Sequence, residues 1–389
     1  MLRLFVAAVV IATCGAVPLS HHLTYQQQPS FPLKNAAAAG LVYPAVGLGT
    51  GGYGLDPLRK YPQCWIEAIP GCGAHASAAV SAWLKMGGWR IDSADSYGNQ
   101  KAIGKGIKES GVPREQVFIT SKIGPSQALG YNDTLSQIKS IKAELGVEYV
   151  DMLLVHWPTQ NDPSAPKSTD PACQNGTPSY DARLCRLNTW RAMLEIFKEG
   201  DARGVGVANY NASHLQEIKD AGMTMPSVNQ CPFNIHRSTS QQETIDFCNK
   251  EGILFNSYSS LGIPDLTGDH PKSSALLLHK CVCHTFYVPL PPLKLLCRYP
   301  APMTANILDE PMVASIAAAR GLTAAQVHLA WMYKIGIATN PRSMDVQHMQ
   351  QNLQAPLLAQ KLSDTDVMHM MAFPQDLCSL PDQWYECAP

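Results

Sequence analysis

Gly88-Trp89-Arg90-Ile91-Asp92-Ser93-Ala94-Asp95-Ser96-Tyr97-Gly98-Asn99-Gln100 begins as a short β-rich run, ends it on a carboxylate, and supplies a tyrosine five residues later. Two further runs stop in the same way. Val117-Phe118-Ile119-Thr120-Ser121 is followed by Lys122, and Val150-Asp151-Met152-Leu153-Leu154-Val155 by His156, Trp157 and Pro158. Consecutive strands that each end on a titratable side chain are what a barrel of parallel strands requires, because its chemistry sits where the strands stop.

Working outward, short apolar or β-branched runs recur at 45–48, 89–91, 117–120, 152–155, 204–207, 227–229, 253–255 and 335–338. Helical patterns such as 134–145 and 311–333 lie between them. This alternation predicts an α/β fold, a (β/α)8 TIM barrel spanning about 31–375. The rival is a doubly wound open sheet, which wants a Gly-x-Gly-x-x-Gly turn leading directly into a helix. Gly47-Leu48-Gly49-Thr50-Gly51-Gly52 has the glycines, but the residues after it contain Pro and Tyr and lack a helical period. Segments 53–74 and 160–181, rich in Pro, Gly and Cys, read as enlarged loops on the catalytic face. The tail 376–389 has the same texture. Segment 278–301 shows neither period and is expected to be a translated intron or a lineage-specific loop.

At 389 residues and 46% hydrophobic content, the chain can bury one large core. Its formal net charge of −1 offers no field for nucleic acid. The start Met1-Leu2-Arg3, an apolar stretch over 4–12 and the small residues Cys14-Gly15-Ala16 read as a secretory signal peptide over 1–16. That stretch is too short to span a bilayer, which takes about 20 apolar residues. The expectation is a protein of the secretory pathway or extracellular space, with no membrane association after cleavage, and a monomer.

Setting aside Cys14 and the three cysteines of 278–301 leaves Cys64, Cys72, Cys173, Cys185, Cys231, Cys248, Cys378 and Cys387. An even set in an exported chain reads as disulfides. Spacing suggests Cys64 with Cys72, Cys173 with Cys185, and Cys378 with Cys387. Cys281, Cys283, His279 and His284 lack a second ligand pair at zinc spacing, so no metal is expected. The sequons at Asn132, Asn175 and Asn211 matter only in the secretory pathway.

Tyr97, Lys122, Asp92 and His156 divide the labour of carbonyl reduction among them. A phenol is a poor acid, with an ordinary pKa of about 10, and a nearby ammonium lowers that value. Lys122 supplies such a charge, Asp92 holds the lysine, and His156 orients the carbonyl. Taken singly, each is an ordinary residue; together, at consecutive strand ends, they read as a catalytic set.

On these residues the chain resembles the aldo-keto reductases, (β/α)8 barrels that use a nicotinamide cofactor without a Rossmann fold. The resemblance runs from about Phe31 to Thr365, and the first signature matches from Ile91 through Gly104. Gly88-Trp89-Arg90 departs from the family's aromatic-Arg order. The resemblance implies Asp92, Tyr97, Lys122 and His156 as the tetrad and Thr50, Asn209, Gln230, Tyr258, Ser259 and Leu261 as cofactor contacts. Ala208 stands where a cofactor-binding serine is usual. The adenosine end would be held by Arg342, Ser343, His348, Gln351 and Asn352, with His348 in place of a permanently charged arginine. NADP(H) is therefore expected, by a reduced margin, with NAD(H) second. Trp157 would join Tyr97 and His156 in binding a small carbonyl substrate, and Gly51, replacing a large aromatic, would open one side of the pocket. The expected activity is reduction of aldehydes or ketones with Tyr97 as general acid. The alternatives are a retired reductase fold serving as a secreted binding protein, and a cofactor sensor.

Overall fold

The structure, a computed structural model, describes residues 28–38, 40–51, 72–124, 127–160, 165–236, 239–262 and 307–373. The described chain starts in a hairpin, β1 (Ser30–Pro32) paired antiparallel with β2 (Val42–Pro44) so that Phe31 faces Tyr43. Leu33, Leu41 and Tyr43 pack with Phe118, Met152, Val228 and Ala338 in one buried cluster. The last four residues each begin a barrel strand, so the hairpin plugs the N-terminal end of the barrel.

The barrel strands are β3 (Gly47–Gly49), β4 (Arg90–Asp92), β5 (Phe118–Ile123), β6 (Met152–Val155), β7 (Val205–Ala208), β8 (Val228–Pro232), β9 (Leu254–Tyr258) and β10 (Ala338–Thr339), in sequential order. Every neighbouring pair is parallel. A parallel bridge between Val46 and Thr339 closes the sheet, reinforced by Thr339 N–H to the Ala45 carbonyl at 2.8 Å and Gly49 N–H to the Pro341 carbonyl at 3.1 Å. Closure removes the unpaired edges an open sheet would carry. β4 through β8 are buried at every position, which is why they read as continuous apolar runs rather than alternating ones. All eight expected strands are present.

Around the barrel lie α1 (Cys72–Lys85), α2 (Gln100–Ser110), α3 (Tyr131–Leu145), α4 (Ala182–Glu199), α5 (Ala212–Asp220), α6 (Thr239–Glu251), α7 (Pro311–Arg320), α8 (Ala324–Lys334), α9 (Val346–Gln354) and α10 (Asp364–Met371). The stretch 311–333, read from sequence as one helical pattern, is two helices. Gly321 leaves α7 in the left-handed conformation at φ 64°, and Thr323 caps α8 through a reciprocal box with Gln326. The departure at Gly88-Trp89-Arg90 leaves the register regular: Arg90 lies opposite Gly47 on one side and Phe118 on the other.

Cys173 and Cys185 form a disulfide, as their spacing suggested. Cys231 and Cys248 do not; both are buried thiols beside the Asn229 side chain. The expectation that all eight cysteines pair is corrected there: a core thiol behaves as a small apolar group and needs no bridge to be buried. Cys64, Cys378 and Cys387, and with them the pairings Cys64–Cys72 and Cys378–Cys387, fall outside the described residues, as do the signal peptide 1–16, segment 278–301 and the tail 376–389. Among the described residues no helix is long and apolar enough to cross a membrane.

Candidate active site

Parallel pairing of Asp92 with Thr120 puts Asp92 and Lys122, two residues beyond Thr120, on the same interior face. Lys122 Nζ donates to Asp92 Oδ1 at 2.7 Å and to the Ser93 carbonyl at 2.8 Å. The other carboxylate oxygen accepts from Gln230 Nε2 at 2.6 Å. Thr50 Oγ1 donates to the Asp92 carbonyl at 2.9 Å, fixing the end of β4 to the end of β3. Lys122 and Asp92 are both buried. A buried ion pair is tolerated only when its remaining lone pairs and protons find partners, and here they do.

Tyr97 ends a short 3-10 turn, Asp95–Tyr97, whose chain turns away through Gly98 in the left-handed conformation at φ 62°. Lys122 Nζ stands 5.2 Å from the centre of the phenol ring, and the His156 ring meets that ring edge-on at 5.7 Å. His156 leaves the end of β6 with its backbone N–H on the Ile123 carbonyl, its Nδ1 3.3 Å from Ser96 Oγ, and its ring stacked on Trp157. The four expected catalytic residues and Trp157 are thus brought to one point at the C-terminal mouth.

The proton states follow from burial and neighbours. Burial opposes the Lys122 ammonium, but Asp92 and then Tyr97 outweigh it, so its pKa lies above the usual lysine value. Burial, assisted by the Lys122 charge, holds His156 well below the usual histidine value against a hydrogen bond to the Gly124 backbone, so the imidazole is neutral. For Tyr97 the expectation of a lowered pKa is corrected. Burial raises it more than the Lys122 charge and hydrogen bonding lower it, and Asp92 adds to the rise. The phenol therefore keeps its proton, the state a proton donor needs.

Asn209, at the end of β7, and Tyr258, at the end of β9, meet through Tyr258 Oη donating to Asn209 Oδ1 at 2.9 Å. Asn209 Nδ2 also donates to the His156 carbonyl at 2.9 Å. Asn209 at φ 62° and Ser259 at φ 50° are the two non-glycine residues with positive φ among those described. Held strain of this kind gathers at ligand sites. Leu261 follows on the same loop.

Past β10, Arg342 Nη1 donates to the Gly51 carbonyl at 3.0 Å, and Ser343 Oγ accepts from Asp345 N–H at 3.1 Å. His348, Gln351 and Asn352 lie on α9, with His348 exposed and Asn352 buried. The space beside Gly51, expected to open the pocket, is taken by the Tyr97 ring: a Cβ built there would stand 3.0 Å from it.

The aldo/keto reductase family model matches residues 71–373. The chain belongs to the aldo/keto reductase family. Glyoxal reductase of Bacillus subtilis is 29% identical over 304 residues, covering 78% of this chain and 85% of that protein. Glycerol 2-dehydrogenase (NADP(+)) of Saccharomyces cerevisiae is 30% identical over 305 residues, covering 77% and 84%. In fold the chain is similar to a Bombyx mori aldo-keto reductase solved in complex with NADP, with a TM-score of 0.67 at 22% identity over 93% of this chain and 99% of that one.

In this aldo/keto reductase some contacts escaped sequence reasoning. Gln230, expected to hold the cofactor, spends an amide N–H on Asp92, and Ser96, not singled out from the sequence, contacts His156. Asp345 caps α9 by accepting from His348 N–H at 2.9 Å, which holds its carboxyl below the usual range. An acidic N-cap ahead of a helical run was a readable signal for Asp345. No spacing pattern marks Gln230 or Ser96 for those contacts.

Proposed function

We propose that this chain is an NADP(H)-dependent oxidoreductase that reduces small aldehydes or ketones to alcohols. The reading is carried by one observation: a buried ammonium, locked by Asp92 and Ser93, faces a protonated phenol beside a neutral imidazole. The residues around them suit the cofactor. A guanidinium and a hydroxyl at Arg342 and Ser343 match a phosphate, while Asn209 and Tyr258 offer amide and aromatic surface at the barrel mouth.

When bound, NADP(H) supplies the hydride. His156, uncharged, donates an N–H to the substrate carbonyl and sets its direction. Tyr97 passes its proton to the oxygen as negative charge develops there. Lys122 stabilises the phenolate that Tyr97 becomes, and Asp92 keeps the ammonium in place throughout. Run backwards, the same groups serve alcohol oxidation.

Names among the relatives, glyoxal reductase and glycerol 2-dehydrogenase, favour small oxygenated substrates. The enlarged loop after β6 follows directly on Trp157 in the chain, which agrees with the same reading. Its segment is anchored by Asp133, which accepts from Ser168 Oγ at 2.9 Å and Thr169 N–H at 2.9 Å. The Cys173–Cys185 bridge, together with the N-terminal sequence, favours an oxidising compartment.

The test follows NADPH absorbance with a panel of small aldehydes and ketones. Wild-type protein should consume NADPH, and Tyr97→Phe should lose roughly 10²–10⁴-fold, the contribution of a positioned general acid. Turnover that survives in Tyr97→Phe rejects the proposed acid, and cofactor binding without turnover by either protein rejects the enzyme reading.

A further inference from the structure

Arg90 is the second cation inside the barrel. It opens β4 two residues before Asp92, so both side chains point inward, and it is 0% exposed. Its Nε donates to the Pro44 carbonyl at 2.8 Å and its Nη2 to the Thr339 carbonyl at 2.8 Å. Its Nη1 donates to Tyr43 Oη at 3.0 Å and to Asn340 Oδ1. The guanidinium also lies 4.3 Å from the centre of the Tyr43 ring. All of these hydrogen-bond partners are neutral. Burial opposes the cation, and the Asp92 carboxylate two residues on favours it without bonding to it; a buried guanidinium whose bonds all go to neutral acceptors still calls for a reason beyond packing.

The partners share one property: they flank the closing seam. Tyr43 and Pro44 lead into β3, and Thr339 and Asn340 leave β10. That seam is thin in backbone hydrogen bonds, because β10 has only two residues. The planar fork of an arginine spans it where a lysine's single nitrogen would not. The local sequence makes room for the fork: a Cβ at Gly47 would stand 2.7 Å from the guanidinium carbon, and one at Gly49 2.8 Å from the Asn340 carbonyl oxygen. Two residues beyond Asn340 comes Arg342, whose guanidinium reaches back across the seam to the Gly51 carbonyl.

We infer that Arg90 is a positioning residue for the cofactor: its guanidinium locks the β3–β10 seam so that the chain leaving β10 presents Arg342 and Ser343 to the 2′-phosphate. The inference rests on the reading given under Proposed function. Arg90 itself touches neither cofactor nor substrate.

The experiment titrates the full chain with NADPH and with NADH by protein fluorescence, for wild type, Arg90→Lys, Asn340→Ala and Gly47→Ala, with thermal melts alongside. Loosening the seam should weaken NADPH about tenfold, which is about 1.4 kcal/mol, and leave NADH within about twofold, so the NADPH/NADH preference falls. A purely structural residue would lower the melting temperature and leave that preference where it is. Should Arg90→Lys or Gly47→Ala fail to fold, Asn340→Ala, which removes one acceptor and no charge, decides. An unchanged preference in the folded variants overturns the inference while the cofactor reading stands. Failure of wild type to bind either nucleotide overturns both.

Discussion

The barrel mouth and the segment after β10 hold their polar groups in opposite ways. At the mouth, Asp92, Lys122 and Gln230 are buried, and short hydrogen bonds engage both carboxylate oxygens and the ammonium. After β10, Arg342 and His348 are exposed, and Asp345 places a carboxylate at the α9 N-terminus where the proposed phosphate grip would be. Low dielectric makes every charge at the mouth count in full, whereas water and salt screen those after β10. On the proposed function, the first region would fix the chemistry and the second would adjust affinity for the cofactor's distal end.

The comparison breaks most sharply at Lys122. Lys122→Met leaves the Asp92 carboxylate buried without its cation, and should lower stability by about 3–5 kcal/mol and abolish turnover. A chemical denaturation series with an activity assay checks both effects; a loss below about 1 kcal/mol would mean the pair is as weak as a surface bridge. On the exposed side, Arg342→Ala should weaken NADPH by roughly tenfold, about the 1.4 kcal/mol of one exposed charge-assisted contact, with the melting temperature unchanged. In the same titrations His348→Arg should tighten NADPH a few-fold, by the contribution of an exposed charge pair. Wild-type affinity for NADH equal to or above that for NADPH would remove the phosphate grip altogether.

Asp95 gives an effect of a different kind and sign. Its carboxyl is pushed up to about 6, first by burial and then by Glu144, against a hydrogen bond from Gln127. A folded value above the unfolded one means that its stabilising contribution is complete below about pH 4 and is lost as pH rises through about 6. Asp95→Asn should therefore raise the melting temperature at pH 8, by about 2 °C for each kcal/mol recovered, and leave it unchanged at pH 4. The imidazoles of His214 and His328, both held near 4 by burial, act in the opposite sense and destabilise the fold as pH falls below about 6.5.

Much of this was legible because strand ends deliver residues of distinctive chemistry. Asp92, Lys122 and His156 each follow an apolar run, so order along the chain became proximity in space. Effects that depend on what stands across the barrel were not legible. Arg90 reads as an ordinary charged residue in a strand, and only the glycine at 47 and the acceptors at 339–340, some 250 residues away in the chain for the Asn340 contact, explain its burial. Gly51 reads as empty space, yet the Tyr97 ring fills it. The sign of the Tyr97 shift is a contest between burial and the Lys122 charge, and burial cannot be read from spacing. The break in 311–333 was written in Gly321 and Thr323, but the apolar pattern on both sides masked it.

The central claim is that Tyr97 acts as a proton donor whose proton is held by burial while Lys122 stands ready to stabilise the anion. The pH dependence of kcat/KM for aldehyde reduction measures that acid in the free enzyme. The account predicts activity sustained through neutral pH and lost only on the alkaline side, at or above the ordinary phenol value of about 10. Loss of activity between about pH 6 and 8, unchanged in kind when Tyr97 is replaced by Phe, would place the acid elsewhere and contradict it.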